Sequence, residues 1–272
     1  MYIVNCKIMS HEVSERKSIR NISNPELVDL RTAYEAIMNM RDNRGFAQAA
    51  GYHGSPDWHC IHSIRHKVTT LRTRLFLPWH RAYLKDLESR LKQVIPTVSL
   101  PWWDWTSSLS HQEGLPKAFK EQQVGGKHNP LYSFYINLLN IPKPITRDTR
   151  RNPDSPDKLP TKKDVDDVLT AASYGEFSDQ VEDLHDRIHI WMGGDMGRVA
   201  TAAFDPIFWS HHCMIDRIWW IWQQEHENMN MTEEFKQIIL PPFSWKVGEL
   251  LNINKLGYEY IANSNSAKGP SQ

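Results

Sequence analysis

Apolar positions take helical spacing in four stretches of this chain and strand spacing almost nowhere. Asn24-Pro25 offers a cap and a pre-set first turn, and Leu27, Leu30, Tyr34, Ile37 and Met38 then line one face, which predicts a helix over about 26–43. Gly45, Gly51, Gly54 and Pro56 interrupt 44–75, which reads as loop with short helical pieces. Pro78 can open a second helix with Leu84, Leu87 and Leu91 on its buried face, and Pro96 stops it. Val181, Leu184, Ile188 and Trp191 mark a third over about 177–191, ended by Gly193-Gly194. Asp205-Pro206 opens a fourth, through Phe208, Ile215, Trp219 and Trp222. Residues 110–160 are polar and rich in Pro, Gly and Lys; they read as long surface loops with one short helix near 131–139. Leu100-Pro101-Trp102-Trp103-Asp104-Trp105 is too aromatic for a surface loop. Residues 2–8 give the best strand signal, a small strand is expected beyond 240, and 264–272 reads as a disordered tail. The outline is a mainly α chain forming one domain over 1–272, with an N-terminal extension over 1–23, long loops and little β.

Composition narrows the function classes. Lys plus Arg balances Asp plus Glu, 32 against 32, so the clustered positive charge that a nucleic-acid groove or an anionic membrane surface requires is not expected. No run of about 18 apolar residues exists to span a bilayer. Met1 to Arg20 lacks the apolar core of a signal peptide, which makes a cytoplasmic protein the expectation. Cys6, Cys60 and Cys213 are too few and too scattered for a disulfide framework.

Histidine changes the picture. The chain has 13, and they gather into two groups: His53, His59, His62, His66 and His80, then His185, His189, His211 and His212. Such density reads as metal binding or acid–base chemistry. His185 and His189 stand one turn apart on one helix face, about 5–6 Å between Cβ atoms, close enough to share a metal. Asp186 after the first of them excludes the H-E-x-x-H peptidase motif. The next helix carries His211 and His212 within an apolar run, where unpaired imidazoles are costly. The two point about 100° apart on a helix of 3.6 residues per turn, so one of them is expected to join the site. Two histidines from one helix and one from its neighbour make a three-nitrogen site with an open position, the layout of a reactive metal.

The run from Phe177 through Gln223, with LHDRIHIWMGG and FDPIFWSHHCMIDRIWWIWQ, resembles the second copper-binding region of the tyrosinase family. FLPWHRAYL at 76–84 resembles the first such region, and PWWDW at 101–105 also fits. The resemblance covers about 50–225 and implies a type-3 copper oxidase: two copper ions per chain, each held by three histidines, with O2 as co-substrate. It also implies a four-helix bundle with the dicopper centre at its middle, in agreement with the helical outline.

Carried over residue by residue, the resemblance gives the second copper His185, His189 and His212, and leaves His211 beside the site or near the substrate. His80 is the clearest ligand of the first copper. The position nine residues earlier, where many members have histidine, is Leu71 here. GYHG at 51–54 resembles the first-ligand segment of members related to molluscan haemocyanin, which points to His53. Cys60-Ile61-His62 resembles the segment in which some members join a cysteine sulfur to a ligand imidazole; it points to His62 as middle ligand, thioether-linked to Cys60, with His66 as the alternative. His59 and His66 otherwise read as solvated loop residues.

Two acids are candidates for proton handling. Glu182 matches the family's F-x-x-x-L-E pattern, whose carboxylate holds a water that helps deprotonate a phenol. Asp186 stands where tyrosinases often have the asparagine that partners that water. Ile190 is expected in the apolar wall of the substrate pocket, Asp205 as a helix cap, and Asp216 as a group orienting a neighbour of the site. The resemblance implies oxidation of o-diphenols to quinones and hydroxylation of monophenols, with small phenols as partners and a copper-delivery protein as a further candidate. An o-aminophenol oxidase and a haemocyanin-like oxygen carrier are the competing readings.

Overall fold

The computed structural model describes residues 13–61, 74–226 and 231–261. Its elements in order are β1 (Ser14–Arg16), α1 (Asn24–Asn39), α2 (Phe46–His53), α3 (Phe76–Val94), α4 (Ser108–Glu113), α5 (Lys117–Lys120), β2 (Gln123–Val124), β3 (Lys127–His128), β4 (Tyr135–Leu138) and β5 (Ile145–Asp148). There follow α6 (Lys162–Leu169), α7 (Tyr174–Met192), α8 (Ile207–Glu225), α9 (Glu233–Lys236) and β6 (Tyr258–Tyr260). The long helices α3, α7 and α8 pack on one another, and α2 completes a four-helix bundle with α1 lying against α2 and α3. Leu84, Leu87 and Leu91 are fully buried on α3, each contributing about 1.5–3 kcal/mol relative to exposure.

Local chemistry explains most boundaries. Ser23, rather than Asn24, caps α1: its hydroxyl accepts from Glu26 N, and the Glu26 carboxylate accepts from Ser23 N at 2.7 Å. That helix ends at Asn39, short of the expected 43. α3 begins two residues before Pro78, which sits harmlessly in the first turn where its missing N–H costs nothing, and gives way at Ile95 before Pro96. α7 stops where Gly193 takes a φ of 57°. Asp205 accepts from Ile207 N at 3.2 Å at the head of α8, and is itself held by Arg151.

The helix expected near 131–139 is a strand instead. Tyr135 is exposed and Ile136 buried, and β4 pairs antiparallel with β5 from Tyr135–Asp148 to Leu138–Ile145. The expectation of strand over 2–8 and of disorder over 264–272 lies outside the described residues. The 101–105 segment is buried as expected: Trp102, Trp103 and Trp105 are at most 1% exposed, and Trp103 N donates to Ser210 O at the start of α8.

The stretch before Asn24, read as an extension, is bound into the body from residue 14. β1 runs parallel to β6, which brings Arg16 over the Tyr258 ring and into a buried ion cluster. Arg16 donates to both oxygens of Glu88 at 3.1 and 3.0 Å, and to Asp216 at 3.4 Å. Arg81 donates to Asp216 at 2.5 Å, and the Tyr258 and Tyr260 hydroxyls donate to the same carboxylate at 2.8 and 2.6 Å. Burial alone would raise the pKa values of Glu88 and Asp216; the guanidinium of Arg16 beside the first, and those of Arg81 and Arg16 beside the second, hold both below the usual carboxylate range. Folded values below unfolded ones mean that the stability gained is complete above the unfolded carboxylate value, about 4, and is lost as pH falls through the folded values. Thermal melting should therefore hold level from neutral pH down to about 5 and fall below it, and an Asp216→Asn variant should show a shallower acid limb.

Candidate metal centre

The bundle brings two sets of ligand atoms together. Those of His185, His189, His211 and His212 lie within 4.8 Å of one another, as do those of His53, Cys60 and His80. The first set comes from α7 and α8, where spacings of one turn and one residue put four imidazoles on facing sides. The second comes from the last residue of α2, the segment after it, and the second turn of α3.

How each ring is held decides which nitrogen it offers. His53 Nδ1 lies 3.1 Å from the Val199 carbonyl, His80 Nδ1 2.8 Å from that of Phe76, and His189 Nδ1 2.6 Å from that of Met196. His185 Nδ1 lies 3.1 Å from an Asp186 carboxylate oxygen. Carbonyl and carboxylate oxygens only accept, so in each case Nδ1 carries the proton and the neutral ring keeps its lone pair on Nε2. Four imidazoles thus present unprotonated Nε2 atoms, the state a metal requires, with the opposite nitrogen fixed as metal-ligating histidines have it. His212 is held neutral well below the ordinary histidine range by burial first and by the His80 and His185 rings second. The donor set fits copper: imidazole nitrogens, buried, with their orientation fixed before any metal arrives.

The two sets face each other. The His80 and His212 rings stack at 4.3 Å and 12°, and His185 Nε2 lies 3.3 Å from His212 Nε2. Phe76 packs against both His80 and His185, at 4.6 and 4.8 Å between centroids, and Phe208 against His53 and His212 at 4.8 and 4.0 Å. His211 stacks on His185 at 5.1 Å, and neither of its nitrogens has a hydrogen-bond partner among the described residues. Of the adjacent pair, His212 is therefore the ring turned toward the other set.

A cavity of about 90 Å³ opens onto this centre. His53 lines it from one set, His185 and His189 from the other, and Asp186 adds a partly exposed carboxylate. Its apolar wall includes Met196, Val199 and the expected Ile190, which stands 77% exposed at the rim.

Residues 34–225 match the common central domain of tyrosinase. The chain belongs to the tyrosinase family of type-3 copper proteins. It is 32% identical to the tyrosinase of Streptomyces antibioticus over 180 residues, which cover 57% of this chain and 64% of that protein. It is 29% identical to haemocyanin units G and H of Sepia officinalis over 238 residues, 81% of this chain but 40% of that protein, so it spans well under two thirds of that relative's length. Its fold matches the tyrosinase of Burkholderia thailandensis with a TM-score of 0.81, at 24% identity, over 95% of this chain and 75% of that one.

Against the family's dicopper pattern, five of the six expected ligands are brought together: His53 and His80 in one set, and His185, His189 and His212 in the other. The sixth, His62, and its alternative His66 lie outside the described residues. Cys60 Sγ lies 3.6 Å from His80 Nε2, and burial, with Glu182 and Asp186 adding to it, pushes its thiol pKa well up. Glu182 is fully buried one turn before His185 and does not line the cavity. Asp186 does line it, and also orients His185. Asp216 is a correction: its carboxylate turns to Arg16, Arg81, Tyr258 and Tyr260, and among the described residues it meets no imidazole, so its hydrogen bonds brace the frame. Sequence reasoning missed the carbonyls of Phe76, Met196 and Val199, which no side-chain pattern could signal, and the rings of Phe76 and Phe208, which lay in view within the quoted motifs.

Proposed function

We propose that this chain is a copper oxidase that uses O2 to convert o-diphenols to o-quinones and also hydroxylates monophenols. The observation that carries this reading is the cavity lined by imidazoles of both sets, because one small ring entering it meets both half-sites at once. His53, His62 (or its alternative His66) and His80 would hold one copper, and His185, His189 and His212 the other. The bound copper pair supplies O2 binding and electron transfer, which no side chain in the site can provide. Around it the protein contributes position and proton handling. Phe76 and Phe208 fix the imidazole planes, Met196, Val199 and Ile190 give a phenol ring an apolar slot, and Asp186 offers a carboxylate at the mouth that can take a proton from an entering hydroxyl.

The test is oxygen uptake by copper-loaded protein with catechol, tyramine and an o-aminophenol in parallel. Uptake with catechol supports the oxidase. Turnover of the aminophenol alone would favour an aminophenol oxidase, and reversible oxygenation without turnover of any of the three would favour a carrier, as in the haemocyanin relatives.

Glu182 is proposed to separate the two phenol activities: buried off the cavity, it would draw the proton through a relay such as a water or Asp186 and not by direct contact with the phenol. A monophenol must lose a proton with a pKa near 10 before its oxygen can approach a metal, whereas a catechol ionises more readily. Glu182→Gln keeps shape and removes the acceptor. Monophenol hydroxylation should fall by about a hundredfold, the low end for a positioned proton acceptor, with catechol oxidation much less affected. Equal losses in the two rates would make Glu182 a packing residue.

A further inference from the structure

One loop reaches both halves of the centre. The segment 193–202, between α7 and α8, supplies the Met196 carbonyl to His189 Nδ1 and the Val199 carbonyl to His53 Nδ1. These two imidazoles belong to different sets, so the position of a single loop fixes one ligand on each side. The same loop forms the apolar wall of the cavity through Met196 and Val199.

The loop is clamped through the side chain of Asp195, and its far end is tied by Ser55 N, which donates to the Ala200 carbonyl at 3.1 Å. Asp195 is 1% exposed, and its carboxylate receives Arg147 Nη1 at 2.6 Å and Nη2 at 2.9 Å, a bidentate pairing of fixed geometry. Arg150 N donates to the same carboxylate at 2.7 Å, and Asp195 N donates back to Arg150 O at 2.8 Å. Gly193 and Gly194 both take positive φ, and a side chain on Gly194 would strike the Arg150 carbonyl, so the loop lies flush against the irregular segment that follows the β4–β5 hairpin. Arg147 stands on β5, and beyond this pair its guanidinium donates to the Asp148 carbonyl. The hairpin thus grips the loop from outside, several residues away from any ligand.

We propose that Arg147 and Asp195 are positioning residues that set both half-sites together, by holding the loop whose carbonyls orient His189 and His53. The inference rests on the copper reading above, but its test does not depend on phenol oxidation. Without the clamp the loop keeps its backbone bonds to Arg150 and to Ser55 yet loses its bidentate side-chain anchor, the one that fixes the end carrying Met196. The Nδ1 atoms of His189 and His53 then lose a fixed acceptor at the same moment, and both rings can turn. Loss of a group that orients a metal ligand typically costs about 10–100-fold in metal affinity.

The experiment is copper binding by the apo-protein, measured by competition with a chelator. His80→Ala and His185→Ala backgrounds isolate the two half-sites. Arg147→Ala should raise the copper dissociation constant about 10–100-fold in both backgrounds when read well below the melting temperature of the apo-protein, which the Asp195 carboxylate left without its counter-charge is expected to lower. Arg147→Lys, which keeps the charge but not the two-point contact, should fall between. Arg20→Ala, which breaks an ion pair with Glu113 that touches neither set, should leave affinity unchanged. Weakening confined to one half-site, or unchanged affinity in both arginine variants, overturns the proposal. If the parent chain itself fails to bind copper, the copper reading falls and the cause is plain.

Discussion

Replacing His185 with alanine is expected to abolish oxygen consumption with catechol while leaving the fold intact. His185 stands at the junction of the two sets: its Nε2 faces His212 Nε2 at 3.3 Å, and its ring lies 6.2 Å from His80 and 4.3 Å from His189. Its removal leaves His189 and His212 as the remaining ligands of their copper and opens a gap beside Phe76. The apo-protein should tolerate the change, because deleting a buried imidazole also deletes a polar group whose burial is costly. Copper analysis of reconstituted protein should fall from two ions per chain toward one, with an unchanged far-ultraviolet dichroism spectrum. His211→Ala is the matched control. His211 is as buried as His185 but turned away from the other set, so its loss should leave the copper count at two. If instead His211→Ala loses a copper and His212→Ala does not, the ligand choice within the adjacent pair is reversed.

The largest stability effect should come from Asp216→Ala. This carboxylate gathers Arg16, Arg81, Tyr258 and Tyr260 at one buried point, linking β1, α3, α8 and β6. Removing it leaves two buried guanidinium groups facing a space with no counter-charge. Breaking a buried pair in this way costs about 3–5 kcal/mol, and here Glu88 still answers Arg16 while Gln223 and the Leu250 carbonyl still answer Arg81. A melting temperature lower by on the order of 10 °C follows. Denaturant unfolding of the apo-protein checks it free of any contribution from bound metal. A loss below about 1 kcal/mol would show that water or a rearranged Glu88 takes over the charge.

The long helices and the histidine sets were legible because both signals are local. Apolar residues at helical spacing and His185 with His189 one turn apart require no knowledge of the rest of the chain. The hairpin at 135–148 was not legible. Leu131, Leu138 and Leu139 mimic a helical cluster, and Ile136 is the one fully buried residue in β4, which is too little alternation to reveal a strand. Asp216 misled for a related reason. One turn beyond His212 it shares roughly the same helix face, but the direction of its carboxylate is set by Arg81 and by strands from the two ends of the chain. The carbonyl anchors of His53 and His189 could not be read at all, since every residue carries the same carbonyl and only the folded loop selects which one is used.

The parallel pairing of β1 with β6 has a consequence for how the molecule is made. Arg16 meets Tyr260 across 244 positions of sequence, whereas every assigned metal ligand lies between residues 53 and 212. During synthesis, all the candidate ligands are made before the strand that completes their supporting frame exists. Contacts of such long range form late and slowly. There is accordingly an interval in which the imidazoles are in reach of metal ions but the cluster around Asp216 is not yet closed, and the order of metal arrival and strand docking becomes a variable of biosynthesis. Halting translation just before residue 258 and just after 260 would place that interval under experimental control.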